Sequence, residues 1–235
     1  MARIVVPDFP HHVTQRGGRR QQTFFEEADY LAYIELLAGL KESAGVDIWA
    51  YCLMPNHVHL IVVPKHERSL ARLFGIAHHR YAQRVNEIHD WRGHLWQERF
   101  YSFVMDEAHL LAAVRYVERN PVRAGLCSQA EYWTWSSARV HLRGRNDELV
   151  DVSPMGGRVK DWRCYLSGEN SADSLENLRR HTRTGHPAGD KVFIDKLENL
   201  TKRRLWHREP GRSENFGTMT VIHCGYRISS ITLIN

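Results

Sequence analysis

The stretch 54–63 constrains the fold more than any other part of the chain. Its run of β-branched and apolar residues, opened by Pro55 and closed by Pro64, predicts a buried strand. Because alternate residues of a strand share a face, His57 and His59 lie side by side on one face. Burying two imidazoles is costly unless they are paired or bind a ligand. Neutral imidazole is the commonest metal ligand among side chains, so the pair indicates a metal site; two satisfied polar residues at a strand end are the alternative.

A helix predicted to begin after Asp106 supplies further polar groups. Asp106 is a typical N-cap, and Pro121 disfavours helical geometry in the residue before it, so the helix should end near Asn120. At 100° per residue, Tyr116 and Asn120 lie one turn apart beside the apolar stripe of this helix. Two imidazoles and one amide oxygen would make an open site for a divalent cation. A phenol beside such a site could attack a phosphate and form a covalent ester; an ordinary packing role for Tyr116 is the alternative.

The rest of the first 143 residues alternates strands and helices. Hydrophobic patterns predict further strands at residues 11–17, 46–53 and 95–104, and helices at residues 26–43 and 69–86. The short connection through Pro55 and Asn56 favours antiparallel pairing of the strand at 46–53 with the histidine strand. Ser69 is the predicted N-cap of the helix at 69–86.

The chain is expected to divide into two parts at residue 143. Residues 1–143 form the predicted catalytic domain, which holds the histidine strand and the Tyr116 helix. Residues 144–235 form a predicted C-terminal appendage, small and mostly helical or irregular, with one short helix at residues 191–200. The last stretch, about 20 residues, is expected to be flexible.

The charge of the chain favours an anionic partner. The formal net charge is +5, and the surplus is mostly arginine, which suits bidentate contacts with phosphates. Two clusters stand out, in the glycine-containing loop after the first strand and along the helix at 69–86. A solvated surface is the alternative for both. The candidate phosphate-binding residues of these clusters are Arg16, Arg19 and Arg20 in the loop, and Arg72, Arg80 and Arg84 on the helix.

The cysteines and the lack of long apolar runs indicate the cellular compartment in which the protein acts. The four cysteines are scattered without a Cys-x-x-Cys pair, which argues against a disulfide framework or a cysteine zinc site. Reduced thiols are typical of the cytosol. The N-terminus has no long apolar run and no stretch approaches the length of a membrane span. We therefore expect a cytoplasmic protein with no membrane partner.

Several stretches, in order, make the chain resemble a known family. It resembles the single-tyrosine HUH transposases, and most closely the REP-associated tyrosine transposases of bacteria. The matching stretches are His-Val-Thr-Gln-Arg-Gly at 12–17, Met-Pro-Asn-His-Val-His-Leu-Ile at 54–61, residues 93–100, residues 115–126, and Trp-Ser-Ser-Ala at 135–138. The C-terminal part resembles the family only loosely, around residues 184–189, and residues 216–235 lack the basic ending expected of it.

The resemblance implies a fold and a chemistry. The fold would be α+β, with a ferredoxin-like central antiparallel sheet and flanking helices. His57 and His59 would be metal ligands, Asn120 would take the place of the third, and the ion would be Mg²⁺ or Mn²⁺, although the ligands alone also permit Zn²⁺. Tyr116 would cut single-stranded DNA and leave a 5′-phosphotyrosine and a free 3′-hydroxyl.

The resemblance also implies a partner, single-stranded DNA that carries hairpin-forming repeats. Arg99 and Arg123 join the arginines named above as candidate DNA contacts, and the protein would act as a monomer or homodimer. Two other functions remain open. One is a non-catalytic hairpin-binding protein on the same fold, and the other is a metal-dependent phosphodiesterase that uses water.

Overall fold

The computed structural model describes residues 4–205. The strands are β1 (His11–Arg16), β2 (Val46–Met54), β3 (His57–Pro64) and β4 (Tyr101–Val104). The helices are α1 (Glu27–Ala44), α2 (Ser69–Ile88), α3 (Glu107–Glu118), α4 (Asn120–Arg123), α5 (Ala138–Arg143), α6 (Ser153–Gly156), α7 (Trp162–Ser167), α8 (Ala172–Thr184) and α9 (Lys191–Thr201). None of the helices in this part of the chain is long and apolar enough to cross a bilayer.

The four strands form one antiparallel sheet in the order β2-β3-β1-β4. Together with α1 and α2 they follow the β-α-β-β-α-β succession of a ferredoxin-like fold. The predicted α+β class and the predicted antiparallel pairing of β2 with β3 are therefore confirmed. In the register of the sheet, Thr14 of β1 and Cys52 of β2 flank His59 of β3, and Tyr101 of β4 lies across from Thr14.

The two faces of the sheet are covered by different helices. On one face, Val58 and Leu60 of β3 pack with apolar side chains of α1 and α2, such as Leu37 and Phe74. On the other face, Ile61 packs with α3 through Leu110, Val114 and Val117. Because side chains alternate along β3, His59 lies on the same face as α3. The alternation predicted from the sequence is thus observed.

Two predicted boundaries are wrong. Arg68, and not Ser69, is the N-cap residue of α2; Ser69 is the first helical residue, and its hydroxyl accepts a hydrogen bond from the His66 amide at 3.1 Å. The strand predicted at 95–104 is regular only in β4. Near its start, Gly17 forms an isolated bridge to Trp96, and further on the Glu98 carbonyl accepts from the Gln15 side chain at 2.7 Å and not from a strand amide.

The segment after α4 returns to the first part of the chain. Trp133 donates its indole N–H to the Leu53 carbonyl at 2.9 Å, and Trp135 stacks on Tyr30 with ring centroids 4.6 Å apart. Further on, the Ala188 amide donates to the Val104 carbonyl at 2.8 Å, at the end of β4. The helix predicted at 191–200 is confirmed as α9. The division at residue 143 stays a prediction, and the predicted flexible tail lies outside the described residues.

Candidate active site

An open cleft of about 780 Å³ lies beside the ends of β1 and β3, on the face of the sheet that α3 covers. Its lining combines four arginines, two histidines and two tyrosines, and no Asp or Glu contributes to it. The lining residues are Thr14, Gln15, Arg16, Arg20, His57, His59, Gln97, Tyr101, Tyr116, Arg179, Thr182 and Arg183. The cleft therefore gathers polar and cationic groups from distant parts of the sequence.

The two strand histidines are oriented by hydrogen bonds at the same ring nitrogen. His57 Nδ1 lies 2.6 Å from Asn56 Oδ1, and His59 Nδ1 lies 2.9 Å from Nε2 of His12. The ring centroids of His57 and His59 are 4.9 Å apart. With Nδ1 engaged in both rings, Nε2 is the nitrogen that each can offer to a ligand, which is the usual arrangement of a metal-binding histidine and its hydrogen-bond partner.

Both rings are held in the neutral form. Burial lowers the pKa of His57 to about 4, and the nearby charges of Arg16 and Arg123 contribute to the same effect. Burial also lowers the pKa of His59 well below its usual value, and the neighbouring His57 and His12 rings add to this effect. A neutral imidazole is the form that ligates a metal, so the electrostatics of the cleft suit the predicted role.

His12 is a site residue that the sequence interpretation missed. It is fully buried in β1, burial lowers its pKa to about 3, and its ring stacks on His59 with centroids 5.1 Å apart. The neighbouring His11 points to the other side of β1, where it bonds with the Val6 amide and the Phe9 carbonyl. The sequence could have indicated His12 through strand pairing, because adjacent antiparallel strands such as β1 and β3 bring residues of one face together.

The structure brings Tyr116 to the two histidines. Its ring centroid lies 5.6 Å from that of His59 and 6.2 Å from that of His12, edge-on in both cases. The guanidinium of Arg123 lies over the Tyr116 ring, 4.1 Å from its centroid, as a cation–π contact. Tyr116 thus faces the cleft from α3 within a single chain.

Asn120 begins α4 and does not end the preceding helix, because α3 stops at Glu118 and Pro121 is accommodated in the first turn of α4. Its side chain is buried, and Oδ1 accepts a hydrogen bond from Nη2 of Arg123 at 2.8 Å. Nδ2 is buried without a partner among the described residues. Arg123, predicted as a DNA contact, therefore links Asn120 to Tyr116.

The predicted ligands have donor atoms of the kind that a divalent cation binds, but only His57 and His59 line the cleft, and Asn120 does not. Within residues 4–205, no group of three or more His, Cys, Asp or Glu side chains is arranged to hold a metal. A metal in the cleft therefore needs an oxygen ligand of another kind beside the two imidazoles. An amide oxygen has two lone pairs, so Asn120 Oδ1 can accept from Arg123 and still offer a lone pair to a cation.

The predicted DNA-contacting arginines fall into two groups. Arg16 and Arg20 line the cleft, and the turn between them is fixed by Gly17, whose amide donates to the Asn56 carbonyl and where a Cβ would collide with the Gln21 carbonyl. The others do not line the cleft. Arg19 and Arg99 are exposed, and the α2 residues Arg72, Arg80 and Arg84 belong to the helix that packs on the opposite face of the sheet.

Residues 6–120 match the sequence model of the family described as "Transposase IS200 like". Over these residues, just under half of the chain, the protein is similar to the IS200-like transposases. The matched segment runs from before β1 to the start of α4 and includes His57, His59, Tyr116 and Asn120. The resemblance found in the sequence is confirmed at the level of the family.

Solved structures extend the comparison. A structure described as the REP-associated tyrosine transposase bound to a REP hairpin is 20% identical, covers 65% of this chain and 92% of that chain, and superposes with a TM-score of 0.53, which shows a shared fold. A structure of a proposed transposase from Deinococcus radiodurans R1 is 22% identical and covers 51% of this chain and 95% of that chain, with a TM-score of 0.36. No curated protein matches the chain.

Proposed function

We propose that this protein cleaves and rejoins single-stranded DNA at hairpin-forming repeats, with a divalent metal ion and a 5′-phosphotyrosine intermediate on Tyr116. One observation carries the proposal. The Tyr116 ring lies 5.6 Å from the ring of His59, in a cleft whose lining includes four arginines and no carboxylate. A phenol in such surroundings is placed to meet a phosphodiester, since the arginines favour the anion and no acidic side chain in the lining repels it.

The reaction conserves the phosphate ester. The Tyr116 oxygen attacks phosphorus, the bond from phosphorus to the 3′ oxygen breaks, and the phenol loses a proton while the leaving 3′ oxygen gains one. Attack by a 3′-hydroxyl on the phosphotyrosine reverses these steps and joins two strands. His57, His59 and Asn120 would hold Mg²⁺ or Mn²⁺, which when bound supplies positive charge for the non-bridging oxygens.

The side chains around Tyr116 would position the reacting groups. Arg123 lies over the Tyr116 ring and bonds Asn120, and so fixes the phenol relative to the ligand set. Arg16 and Arg20 would bind phosphates of the substrate strand in the cleft. The predicted DNA contacts outside the cleft are Arg19, Arg72, Arg80, Arg84 and Arg99.

The proposed partner is DNA with a hairpin and an adjoining single strand. The structure that shares this fold is described as bound to a REP hairpin, which supports the same class of partner here. Because Tyr116 and the histidines of one chain face each other, a monomer can complete the site, and a homodimer is compatible with it. We further propose that the protein acts in the cytoplasm, where Cys52 and Cys127 would remain free thiols.

The test uses the two tyrosines of the cleft. The full chain is incubated with Mn²⁺ and labelled single strands that carry repeat hairpins, and covalent adducts are detected on a denaturing gel. We expect the wild type and Tyr101→Phe to form an adduct that survives boiling in detergent, and Tyr116→Phe to bind DNA without forming it. Tyr101 is the control because it lines the same cleft and bonds Glu98.

Other results would assign the alternative functions. Cleavage by wild type without any adduct would indicate a phosphodiesterase that uses water. Binding of the hairpin strand without cleavage, under conditions in which Mn²⁺ is bound, would indicate a non-catalytic hairpin-binding protein. Loss of the adduct in Tyr101→Phe but not in Tyr116→Phe would show that Tyr101, and not Tyr116, is the nucleophile.

A further inference from the structure

Helix α8 lies outside the segment that matches the family, yet it forms part of the cleft. Arg179, Thr182 and Arg183 of α8 line the same cavity as Tyr116 and His57. Residues three and four apart on a helix share a face, so these three side chains present one polar edge of α8 to the cleft. The sequence interpretation placed this segment in the C-terminal appendage and assigned no site residue to it.

Helix α8 packs on the sheet, and it is capped at both of its ends. Leu178 is buried, and the ring of His181 lies 5.6 Å from that of Phe103 in β4. Ser171 caps the first turn by accepting from the Ser174 amide at 3.2 Å, and Gly185 ends the helix with a φ of 71°. The arginines of α8 are therefore held beside the cleft by a helix docked on the sheet.

The four arginines of the cleft form no ion pair within residues 4–205. Arg16 and Arg20 come from the end of β1 and the turn after it, and Arg179 and Arg183 come from α8. Among the residues that the structure describes, none of the four lies within 4.0 Å of a carboxylate oxygen. Concentrated charge of one sign raises the local concentration of oppositely charged ligands, so the cleft favours a polyanion.

We propose that Arg179 and Arg183 bind backbone phosphates of the single strand that passes Tyr116. The assignment rests on the proposed function and adds a DNA-contacting surface from outside residues 6–120, which match the family. The two guanidiniums are one helical turn apart and can each make paired hydrogen bonds to a phosphate. Thr182 lies between them in the lining, but its hydroxyl donates to the Leu178 carbonyl at 2.9 Å, so the phosphate contacts are assigned to the arginines.

Arg180 provides a matched control. It is exposed on the same helix and adjacent to Arg179, but it is absent from the cleft lining and donates to Asn177 at 3.0 Å. The double variant Arg179→Gln/Arg183→Gln removes two charges from the cleft, whereas Arg180→Gln removes one charge from the helix outside it. All three arginines are exposed, so the variants should fold; circular dichroism checks this, and Arg183→Gln alone serves if the double variant does not fold.

Binding is measured by fluorescence anisotropy with a labelled hairpin that carries a single-stranded flank, without metal, over a series of salt concentrations. Removing one cationic side chain that neutralises a phosphate of a single strand lowers the salt slope of the binding constant by about 0.7. We expect the double variant to lower the slope by about 1.4 and to bind about tenfold more weakly for each arginine removed. Arg180→Gln and wild type should share one slope.

Two outcomes would overturn the assignment. The first is a slope in the double variant equal to that of wild type. The second is a salt slope that falls by the same amount in the double variant when the hairpin lacks its single-stranded flank, since α8 would then contact the stem and not the strand. These outcomes are separate from failure of the proposed function. If wild type forms no Tyr116 adduct but the double variant still has a lower salt slope than wild type on the flanked hairpin only, the enzymatic proposal fails and the strand contact stands.

Discussion

A hydrogen bond between two imidazoles couples the tautomer of His59 to that of His12. For His59 Nε2 to carry the lone pair that a metal needs, Nδ1–H must donate to His12 Nε2 across the observed 2.9 Å. His12 then carries its own proton on Nδ1, which is buried and has no partner within the described residues. That uncompensated donor has a free-energy cost, which a role in orienting a ligand would explain.

This arrangement predicts different effects for two substitutions at His12. His12→Leu removes the acceptor of the His59 N–H, and we expect the affinity for Mn²⁺ to fall by about 10- to 100-fold. His12→Gln can keep an oxygen near the position of Nε2, so its loss should be several times smaller. Isothermal titration with Mn²⁺ measures both, and thermal unfolding confirms that both variants are folded. Equal affinities for wild type and His12→Leu would show that His12 does not orient the ligand.

At the scale of elements, α3 is anchored close to Tyr116 by a buried polar cluster. Glu118 Oε1 accepts hydrogen bonds from Ser137 Oγ at 2.5 Å and from His141 Nδ1 at 2.6 Å. The His141 ring stacks on Trp162, with centroids 4.1 Å apart and planes at 2°. Glu118 is two residues beyond Tyr116, so this cluster joins the helix that presents the phenol to α5 and α7.

Removing the carboxyl at the centre of this cluster should destabilise the fold. Glu118→Ala leaves His141 Nδ1 buried without its acceptor and leaves Ser137 Oγ only the longer bond to the Tyr51 carbonyl at 3.3 Å. We expect the free energy of unfolding to fall by about 3 kcal/mol. Glu107→Ala, in the first turn of the same helix, breaks an exposed ion pair with Arg158 and should cost less than about 1 kcal/mol. Urea unfolding compares the two variants, and similar losses would contradict the anchoring role.

The elements that the sequence predicts well are those with a clear period. The alternation along β3 and the apolar stripe of α3 place His57, His59 and Tyr116 on surfaces that meet, as observed. The sequence predicts the segment 95–104 less well, because its aromatic residues suit a buried loop as well as they suit a strand. There the Gln15 side chain, from a strand far away in the sequence, bonds the Glu98 carbonyl, and no local pattern reveals this contact.

At the scale of the whole molecule, the cleft combines segments that are far apart in the chain. Its walls come from β1 and the following turn, β3, β4 with the residue Gln97 before it, α3 and α8. Motif spacing could predict the contributions of β3 and α3, because β3 brings the pair His57 and His59, and α3 brings Tyr116 at the edge of its apolar stripe. The contributions of His12 and α8 depend on strand order and on the docking of α8 against β4, which are tertiary features that a single sequence does not specify.

The most direct test of the account is to identify the residue that becomes linked to DNA. The full chain reacts with Mn²⁺ and a hairpin-flanked single strand, the trapped adduct is digested with nuclease and trypsin, and the modified peptide is sequenced by mass spectrometry. Trypsin cuts after Arg115 and Arg119, so the account predicts that the peptide 116–119 carries a nucleotide joined through its 5′-phosphate to Tyr116. A nucleotide on another residue, such as Tyr101, or a linkage through a 3′-phosphate, would contradict it.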